Sequence, residues 1–404
     1  MIDGFLSQLT RQLSDRWHTQ RQPRTPRAFR CVCGAPVFFR NSACLSCGRA
    51  LGYDPVQRTL LALEPRGDDV LAEARPASSL HLRGARLFRR CANAVSAASC
   101  NWLVSDDERN DAGERPWFCA ACRLNRVIPD QTRAENRRDW GLIEQAKRRL
   151  VSQLLALGLP VRSRLAGAGG EDTAHGLAFD FLRPLDGQPV LTGHAGGIVT
   201  LNVDEADDPT RERIRASLRE PYRTLLGHLR HEVGHYYWDR LVDGTAWLAE
   251  FRQCFGDERA DYAAALERNY RLGPPPDWAQ WHVSAYASCH PWEDWAETWA
   301  HYLHIVDTLE MADALGMSIG AMRMETGPLV TPDAVGDDGA ETVPPPTGHS
   351  FDRALERWIV LSNASNSINR CMGLPDLYPF VISQGVAEKL AFVDELLAAK
   401  GNPR

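Results

Sequence analysis

The sequence lacks any long hydrophobic run, and this absence excludes a membrane-spanning helix. In its 404 residues, no stretch approaches the roughly 18 consecutive apolar residues that a membrane span needs. Residues 1–22 also lack the apolar core of a signal peptide, because Arg11, Asp15 and Arg16 interrupt them. We therefore expect a cytoplasmic protein that makes no contact with a membrane.

The sequence also lacks a strong overall charge, but its charged residues are distributed unevenly. The formal net charge is −6; residues 1–150 hold 25 basic and 16 acidic side chains, whereas the remainder holds 21 and 36. A basic front part permits contact with nucleic acid or acidic proteins, although solvated surface charge explains it equally well. Hydrophobic residues make up 44% and charged residues 24%, a balance typical of globular chains with two or three domains.

Cysteine is scarce outside one region, since eight of the eleven cysteines lie between residues 31 and 122. The first four form two close pairs, and each pair is followed directly by a glycine, which allows a tight turn that points backbone N–H groups at thiolate sulfurs. This arrangement resembles a zinc ribbon. The spacing predicts a structural zinc site, with four reduced buried thiols as the alternative; the residues are Cys31, Cys33, Cys44 and Cys47.

A second set of four cysteines follows the first, and it predicts a second structural zinc site. Its members are Cys91, Cys100, Cys119 and Cys122, of which only the last two have the two-residue gap of a zinc knuckle. An exchange of ligands between the two sets remains an alternative. Each structural zinc would contribute folding free energy on the order of 10 kcal/mol to a region of about 100 residues that has few long apolar runs.

The stretch 221–242 has apolar residues at helical spacing and contains the pattern H-E-x-x-H at His231, Glu232 and His235. Two histidines four residues apart lie on one face of an α-helix, so both imidazoles can bind one metal ion. A glutamate directly after the first histidine can take a proton from a water molecule at that metal. Because five residues can match by chance, the interpretation depends on a third ligand.

A second predicted helix, within residues 284–310, places Glu293 and Glu297 on one face. Here the chain resembles the gluzincin group of zinc metallopeptidases, in which a glutamate on a later helix completes H-E-x-x-H. The resemblance implies that Glu293 is the third zinc ligand and that Glu297 braces His231. It also implies that Tyr286, seven residues before Glu293, stabilises the oxyanion.

Two alternative ligand sets follow from the same region. The metzincin class requires Gly and His at the positions that hold Trp238 and Leu241, so that class is excluded. The acidic residues Asp257, Glu258 and Asp261 lie between the two predicted helices and remain an alternative source of the third ligand.

The combined pattern also resembles a bacterial family of zinc-binding metallopeptidases with an N-terminal zinc ribbon, over most of the chain. We therefore expect an α+β protein with a tail at 1–28, a zinc-ribbon module at 29–129 and a zincin-like metallopeptidase domain at 130–404. The domain would be mainly helical with a small sheet.

Local patterns predict further elements around these motifs. Helical periodicity favours a helix over 132–157, and alternation favours strands at 177–182 and 198–203. The resemblance implies that the second strand is the edge strand that pairs with the substrate backbone. The Gly-, Pro- and Asp-rich residues 325–350 predict a mobile loop near the site, and the polar stretch 362–380 predicts another loop.

These patterns together favour a zinc-dependent peptide-bond hydrolase with one catalytic and two structural zinc ions. The zinc ribbon would recruit a protein partner or the peptide substrate. Nucleic acid is the less favoured partner, because the basic residues 81–90 include one phenylalanine, Phe88, and no repeated interleaving of aromatic and basic residues for base stacking. The alternatives are an amidase or deamidase acting on a non-protein amide, and a zinc-stabilised binding scaffold without activity, although a scaffold has no need of Glu232.

Overall fold

The computed structural model describes residues 28–74, 86–110, 112–168, 171–185, 188–218, 223–319, 322 and 351–399. The predicted tail before residue 28 and the predicted loop at 325–350 lie outside the described residues. So does Pro221, which the sequence places near the start of the H-E-x-x-H helix. The described chain is mixed in secondary structure, with helices and three small sheets.

The front part consists of a hairpin and a five-stranded antiparallel sheet. The hairpin pairs β1 (Ala28–Arg30) with β2 (Pro36–Phe38), beside the first cysteine set. The five strands follow one another in sequence order. They are β3 (Ala50–Asp54), β4 (Thr59–Pro65), β5 (Leu71–Glu73), β6 (Leu87–Arg90) and β7 (Leu103–Ser105).

A four-stranded mixed sheet lies in the middle of the chain, in the order β10-β11-β9-β8. Its strands are β8 (Asn125–Val127), β9 (Ala178–Leu182), β10 (Gly193–Ala195) and β11 (Ile198–Asn202), so both predicted strands are confirmed to within one residue. The expectation that 198–203 forms an edge strand is wrong. Gly196 and Gly197 reverse the chain with positive φ angles, and β10 therefore pairs on the outer side of β11 and forms the edge.

Helices make up most of the described residues after residue 130. They are α1 (Ala134–Ala156), α2 (Asp208–Leu218), α3 (Leu225–Leu241), α4 (Leu248–Phe255), α5 (Tyr262–Leu272), α6 (Trp278–Trp281), α7 (Pro291–Ala314), α8 (Asp352–Cys371) and α9 (Gln384–Ala399). The predicted helix at 132–157 is confirmed as α1. No helix in the described part of the chain is long and apolar enough to cross a membrane.

The predicted loop at 362–380 is partly wrong, because α8 continues to Cys371. Its Ser and Asn residues suggested turns, yet Ser365 and Ser367 bond back to carbonyl oxygens one turn earlier. Asn366 is buried, and its side chain bonds to both the N–H and the carbonyl of Tyr378. This contact with a distant segment stabilises helical structure that local propensity disfavours.

One continuous hydrophobic core joins the front part to the helices. Trp102 of the front part, Trp140 of α1, Phe179 of β9 and Trp299 of α7 are all fully buried in it. Strand β8 begins three residues after Cys122 and pairs with β9 of the middle sheet. The cysteine-rich region is therefore packed into the rest of the chain.

Candidate metal centres

Helix α3 carries the H-E-x-x-H residues and is buried along most of its length. Thr224 caps its start, because the side-chain oxygen accepts a hydrogen bond of 3.0 Å from the N–H of Gly227. His231, Glu232 and His235 are all buried. The one-turn spacing of the histidines directs both rings from the same face of α3.

Helix α7, which begins at Pro291, places Glu293 against both histidines. Glu293 Oε2 lies 3.0 Å from His231 Nε2 and 3.7 Å from His235 Nε2. This oxygen is buried, and apart from these two ring nitrogens it has no polar partner among the described residues. Tetrahedral zinc with bonds of about 2.0–2.2 Å separates nitrogen and oxygen ligands by about 3.3–3.6 Å. The two distances fall just below and just above this range, and all three ligand atoms lie within 4.8 Å of one another, so they are close enough to share one ion.

Glu297, one turn after Glu293, holds the other ring nitrogen of His231. Its Oε1 lies 2.7 Å from His231 Nδ1, and Ser284 Oγ donates a hydrogen bond of 2.7 Å to its Oε2. Burial alone would raise the pKa of Glu297, but the hydrogen bond with His231 lowers it to about 2. The ionised carboxylate therefore accepts the Nδ1 proton, which leaves the Nε2 lone pair directed towards Glu293.

Glu232 and Tyr286, the two predicted catalytic residues, lie beside this cluster. Glu232 Oε2 is buried and has no hydrogen-bond partner in the described part of the chain, so no protein group occupies it. The ring centroid of Tyr286 lies 6.2 Å from that of His231. Burial, and then the charge of Glu293, raises the pKa of Tyr286 above its ordinary value, so the phenol keeps its proton and can donate it in a hydrogen bond.

The structure adds two residues that sequence reasoning missed, Tyr262 and Ser284. The Tyr262 hydroxyl donates a hydrogen bond of 2.6 Å to Glu293 Oε1, and Ser284 supports Glu297 as described above. Tyr262 lies 31 residues before Glu293, and Ser284 lies 13 before Glu297. No motif or helical spacing links residues so far apart, so only the tertiary structure could identify them.

The acidic residues considered as alternative ligands have other partners. Asp257 pairs with Arg259, Glu258 pairs with Arg252, and Asp261 caps α5 by accepting a hydrogen bond from the N–H of Ala264. Around the H-E-x-x-H helix, three described residues bring candidate ligand atoms within 4.8 Å of one another: His231, His235 and Glu293.

The first cysteine set has the geometry of a tetrahedral site. The sulfur atoms of Cys31 and Cys47 lie 3.7 Å apart, as do those of Cys33 and Cys44. Zinc–sulfur bonds of about 2.3 Å give a tetrahedron with edges of about 3.8 Å, which agrees with both distances. The backbone N–H of Arg49 lowers the pKa of Cys47 to about 6, as expected of a knuckle that stabilises a thiolate.

The second set is buried more deeply. The sulfur atoms of Cys100 and Cys119 also lie 3.7 Å apart, and the backbone N–H of Cys119 lies 3.4 Å from Cys91 Sγ. All four members are buried, whereas two of the first set are exposed. Each set gathers its own sulfur atoms within 4.8 Å. Each set therefore fits a closed zinc site of its own, in which the first four cysteines form one site and the next four form the other.

A buried H-E-x-x-H helix with a converging glutamate, together with two four-cysteine clusters, indicates a zinc-binding protein with a metallopeptidase-like site. The family described as "Putative zinc-binding metallo-peptidase" matches residues 136–396, and a zinc-ribbon domain matches residues 28–133. The chain belongs to this metallopeptidase family and carries a zinc ribbon at its N-terminal side, as the sequence patterns predicted.

Similar proteins occur in mycobacteria. The chain is 40% identical over 369 residues to an uncharacterised protein of Mycobacterium tuberculosis and to one of Mycobacterium bovis. Each alignment covers 91% of this chain and 94% of the relative. No solved structure matches the chain.

Proposed function

We propose that this protein is a zinc-dependent peptide-bond hydrolase of the gluzincin type. His231, His235 and Glu293 would hold the catalytic zinc, and Glu297 would brace His231. The observation that carries this proposal is the position of Glu293 Oε2, which is buried and lies within 3.7 Å of both Nε2 atoms, with no other polar partner among the described residues. Zinc bound there supplies a Lewis acid that acidifies water and polarises a carbonyl group.

The two cysteine sets would hold structural zinc, with the sulfur–sulfur distances of 3.7 Å as support. We further propose a zinc-ribbon module at 29–129, a zincin-like domain at 130–404 and a peptide or protein as the substrate. The ribbon would recruit the substrate or a partner protein. Its four-cysteine sites leave no position for a reacting molecule, so its metals stabilise structure.

Glu232 would act as the general base and then as the general acid. Its carboxylate takes a proton from the attacking water and later gives that proton to the nitrogen of the leaving amine. A buried carboxylate oxygen without a partner among the described residues suits this role, because no other contact must break first. Proton transfer of this kind contributes about 10²- to 10⁴-fold to a rate.

Tyr286 would stabilise the charge that develops on the substrate carbonyl oxygen. Its protonated phenol donates a hydrogen bond that strengthens as the oxygen becomes negative, an effect worth about 3 kcal/mol for a well-placed donor. Glu297 and Ser284 would keep His231 in one orientation throughout, so the site needs little rearrangement during the reaction.

The proposal is tested by the substitution Glu232→Gln in the full chain. Glutamine keeps the size of the side chain but cannot take the proton, so we expect unchanged folding and metal content and a loss of hydrolysis of at least about 10²-fold. The measurements are cleavage of an unbiased peptide library followed by mass spectrometry, metal content by mass spectrometry, and the thermal unfolding temperature.

Glu250→Gln on α4 is the control, since Glu250 is an exposed glutamate outside the cluster. It should leave peptide cleavage unchanged. Full activity of Glu232→Gln would refute its assigned role. Testing isopeptides and acyl amides alongside the peptides separates a peptidase from an amidase, and wild-type protein that cleaves acyl amides but no peptide would contradict the proposed substrate class.

A further inference from the structure

Tyr262, the first residue of α5, contacts Glu293 from outside the metal cluster. Its hydroxyl donates a hydrogen bond of 2.6 Å to Glu293 Oε1. The other oxygen, Oε2, is the one that lies 3.0 Å from His231 Nε2 and 3.7 Å from His235 Nε2. The two oxygens of Glu293 therefore have different partners, with one facing a hydroxyl group and the other facing the two histidines.

This division matters because a carboxylate can bind a metal through one oxygen or through both. A catalytic zinc site uses three protein ligands and keeps a fourth position for water or substrate. Binding through both oxygens of Glu293 would bring Oε1 into competition for that position. A donor that holds Oε1 by a hydrogen bond makes binding through Oε2 alone more favourable.

The geometry points to Tyr262 as a positioning residue that holds Glu293 to zinc through Oε2 alone and so preserves the open coordination position. This inference rests on the metal site of the proposed function. It does not depend on the site hydrolysing peptides, so the two can fail separately.

The placement of Tyr262 is determined by contacts other than the metal cluster. Asp261 caps the helix at this point by accepting a hydrogen bond of 3.0 Å from the N–H of Ala264. The Tyr262 ring packs edge-on against His290 and Trp292, with centroids 5.2 and 6.0 Å away. These contacts position the hydroxyl beside Glu293, as a group that orients a ligand requires.

Core packing does not explain the contact. None of the residues of α5 is buried, and 37% of Tyr262 is exposed. Replacing Tyr262 by phenylalanine therefore removes the hydroxyl without opening a cavity, so the variant should fold. The substitution isolates the hydrogen bond to Oε1 from any effect on the core.

The control is Tyr302→Phe on α7, at a tyrosine that is fully buried. Tyr302 also donates to a carboxylate, with a hydrogen bond of 2.8 Å to Asp394 Oδ1, but Asp394 lies outside the metal cluster. Both substitutions remove one phenol–carboxylate hydrogen bond. A general loss of stability would follow from either one, whereas a change in the metal's coordination should follow from Tyr262→Phe alone.

The experiment uses the full chain with zinc retained in the cysteine sites. A chelator removes the ion from the His231, His235 and Glu293 site, which unlike the cysteine sites has no thiolate ligand, and Co²⁺ replaces it. Visible absorption and X-ray absorption at the cobalt edge then report the coordination of this site alone, because zinc contributes to neither. Chelator competition gives the Co²⁺ affinity.

We expect four-coordinate Co²⁺ in the wild type and in Tyr302→Phe. In Tyr262→Phe we expect a fifth oxygen ligand, weaker visible absorption and an affinity lower by about tenfold. Identical spectra and affinities in all three proteins would overturn the role of Tyr262. A wild type that binds no Co²⁺ at this site would overturn the metal assignment itself. The expected cobalt results without peptide cleavage would support Tyr262 and contradict only the hydrolase.

Discussion

His231 has a carboxylate beside each of its ring nitrogens, and both come from α7. Glu293 Oε2 lies 3.0 Å from Nε2 and Glu297 Oε1 lies 2.7 Å from Nδ1. Burial alone would lower the pKa of His231, but these two carboxylates raise it well above its ordinary value. The two carboxylates therefore surround His231 with negative charge, which stabilises a cation bound at Nε2, whether a proton or a metal ion.

At the same scale, Glu205 forms a buried charge cluster at the end of the middle sheet. It accepts a hydrogen bond from Thr192 and lies 2.6 Å from His228 Nδ1 and 3.2 Å from Arg223. Burial alone would raise the pKa of Glu205, but His228, Arg223 and Thr192 lower it to about 2. Since His228 belongs to α3, this carboxylate joins the sheet to the helix that carries the candidate ligands.

We predict that Glu205 makes stability depend on pH. Its folded pKa of about 2 lies below its ordinary value of 4.5, so its stabilising effect is complete above pH 4.5 and is lost as the pH falls towards 2. The shift corresponds to about 3 kcal/mol at neutral pH. Urea unfolding of wild type and Glu205→Gln at several pH values should show a difference that shrinks from pH 5 to pH 2.

Glu212→Gln is the control for this prediction. Glu212 is 57% exposed and pairs with Arg215 at the surface, where an ion pair contributes about 0–1 kcal/mol. A difference between wild type and Glu205→Gln that stays constant across the whole pH range would contradict the lowered pKa of Glu205.

At the scale of elements, the candidate site depends on the close contact between α3 and α7. A Cβ atom at Gly234 would lie 3.1 Å from the backbone Cα of Ala296 and 3.2 Å from the Trp299 ring. Trp295 Nε1 also donates a hydrogen bond of 2.8 Å to the Gly234 carbonyl. Glycine inside a helix is costly, so its presence here is explained by the close approach of α7.

We therefore predict that Gly234→Ala destabilises the protein. Helix propensity alone would favour alanine by about 1 kcal/mol, but overpacking costs about 1–3 kcal/mol because the backbone of Ala296 cannot easily move. The expected net loss is up to about 2 kcal/mol, with weaker metal binding as α3 and α7 separate. Urea unfolding and chelator competition measure the two effects.

Gly193→Ala on β10 provides the comparison, because a Cβ atom there has no neighbour within 4 Å. Its stability should change by less than about 0.5 kcal/mol. If Gly234→Ala were as stable as the wild type or more stable, the prediction would be contradicted, because α3 and α7 would then have room to separate without cost.

At the scale of the molecule, the second cysteine set is joined to the helices by buried charged groups. Cys122 Sγ lies 3.8 Å from Glu144 Oε2, and Lys147 Nζ donates a hydrogen bond of 2.6 Å to Glu144 Oε1. Glu144 and Lys147 are both fully buried on α1. Lys147 also donates to Asn125 at the start of β8, so the metal site, α1 and the middle sheet share one polar network.

We predict that the second cysteine set stabilises the whole chain. Cys119→Ser should lose one zinc ion and cost several kcal/mol, because a structural zinc contributes on the order of 10 kcal/mol and Cys122 of the same set contacts the buried Glu144 of α1. Calorimetry should show one transition at a lower temperature, in which the helices unfold together with the cysteine region.

Cys33→Ser is the matched substitution in the first set, where Cys33 is exposed. It should lose one zinc ion with a smaller fall in the unfolding temperature. The prediction would be contradicted if Cys119→Ser unfolded in two steps with the helical transition at its wild-type temperature.

The sequence by itself indicated the residue types of the candidate site and most of the elements that carry it. The one-turn spacings of His231 with His235 and of Glu293 with Glu297 follow from helix geometry, and α1, β9 and β11 follow from local periodicity. The family comparison confirmed the metallopeptidase and zinc-ribbon resemblance. The roles of the individual site residues stay predictions that the variants above test.

Only the tertiary structure decided which strand forms the sheet edge, how far α8 extends, and which residues support the ligands. Strand β10 reaches the sheet edge through a hairpin onto β11, and Asn366, Tyr262 and Ser284 are placed by contacts with residues 12 to 31 positions away in the chain. Such contacts are governed by packing and hydrogen bonding in three dimensions. They leave no periodic signal in the sequence, because each one fixes a single residue rather than a repeating face.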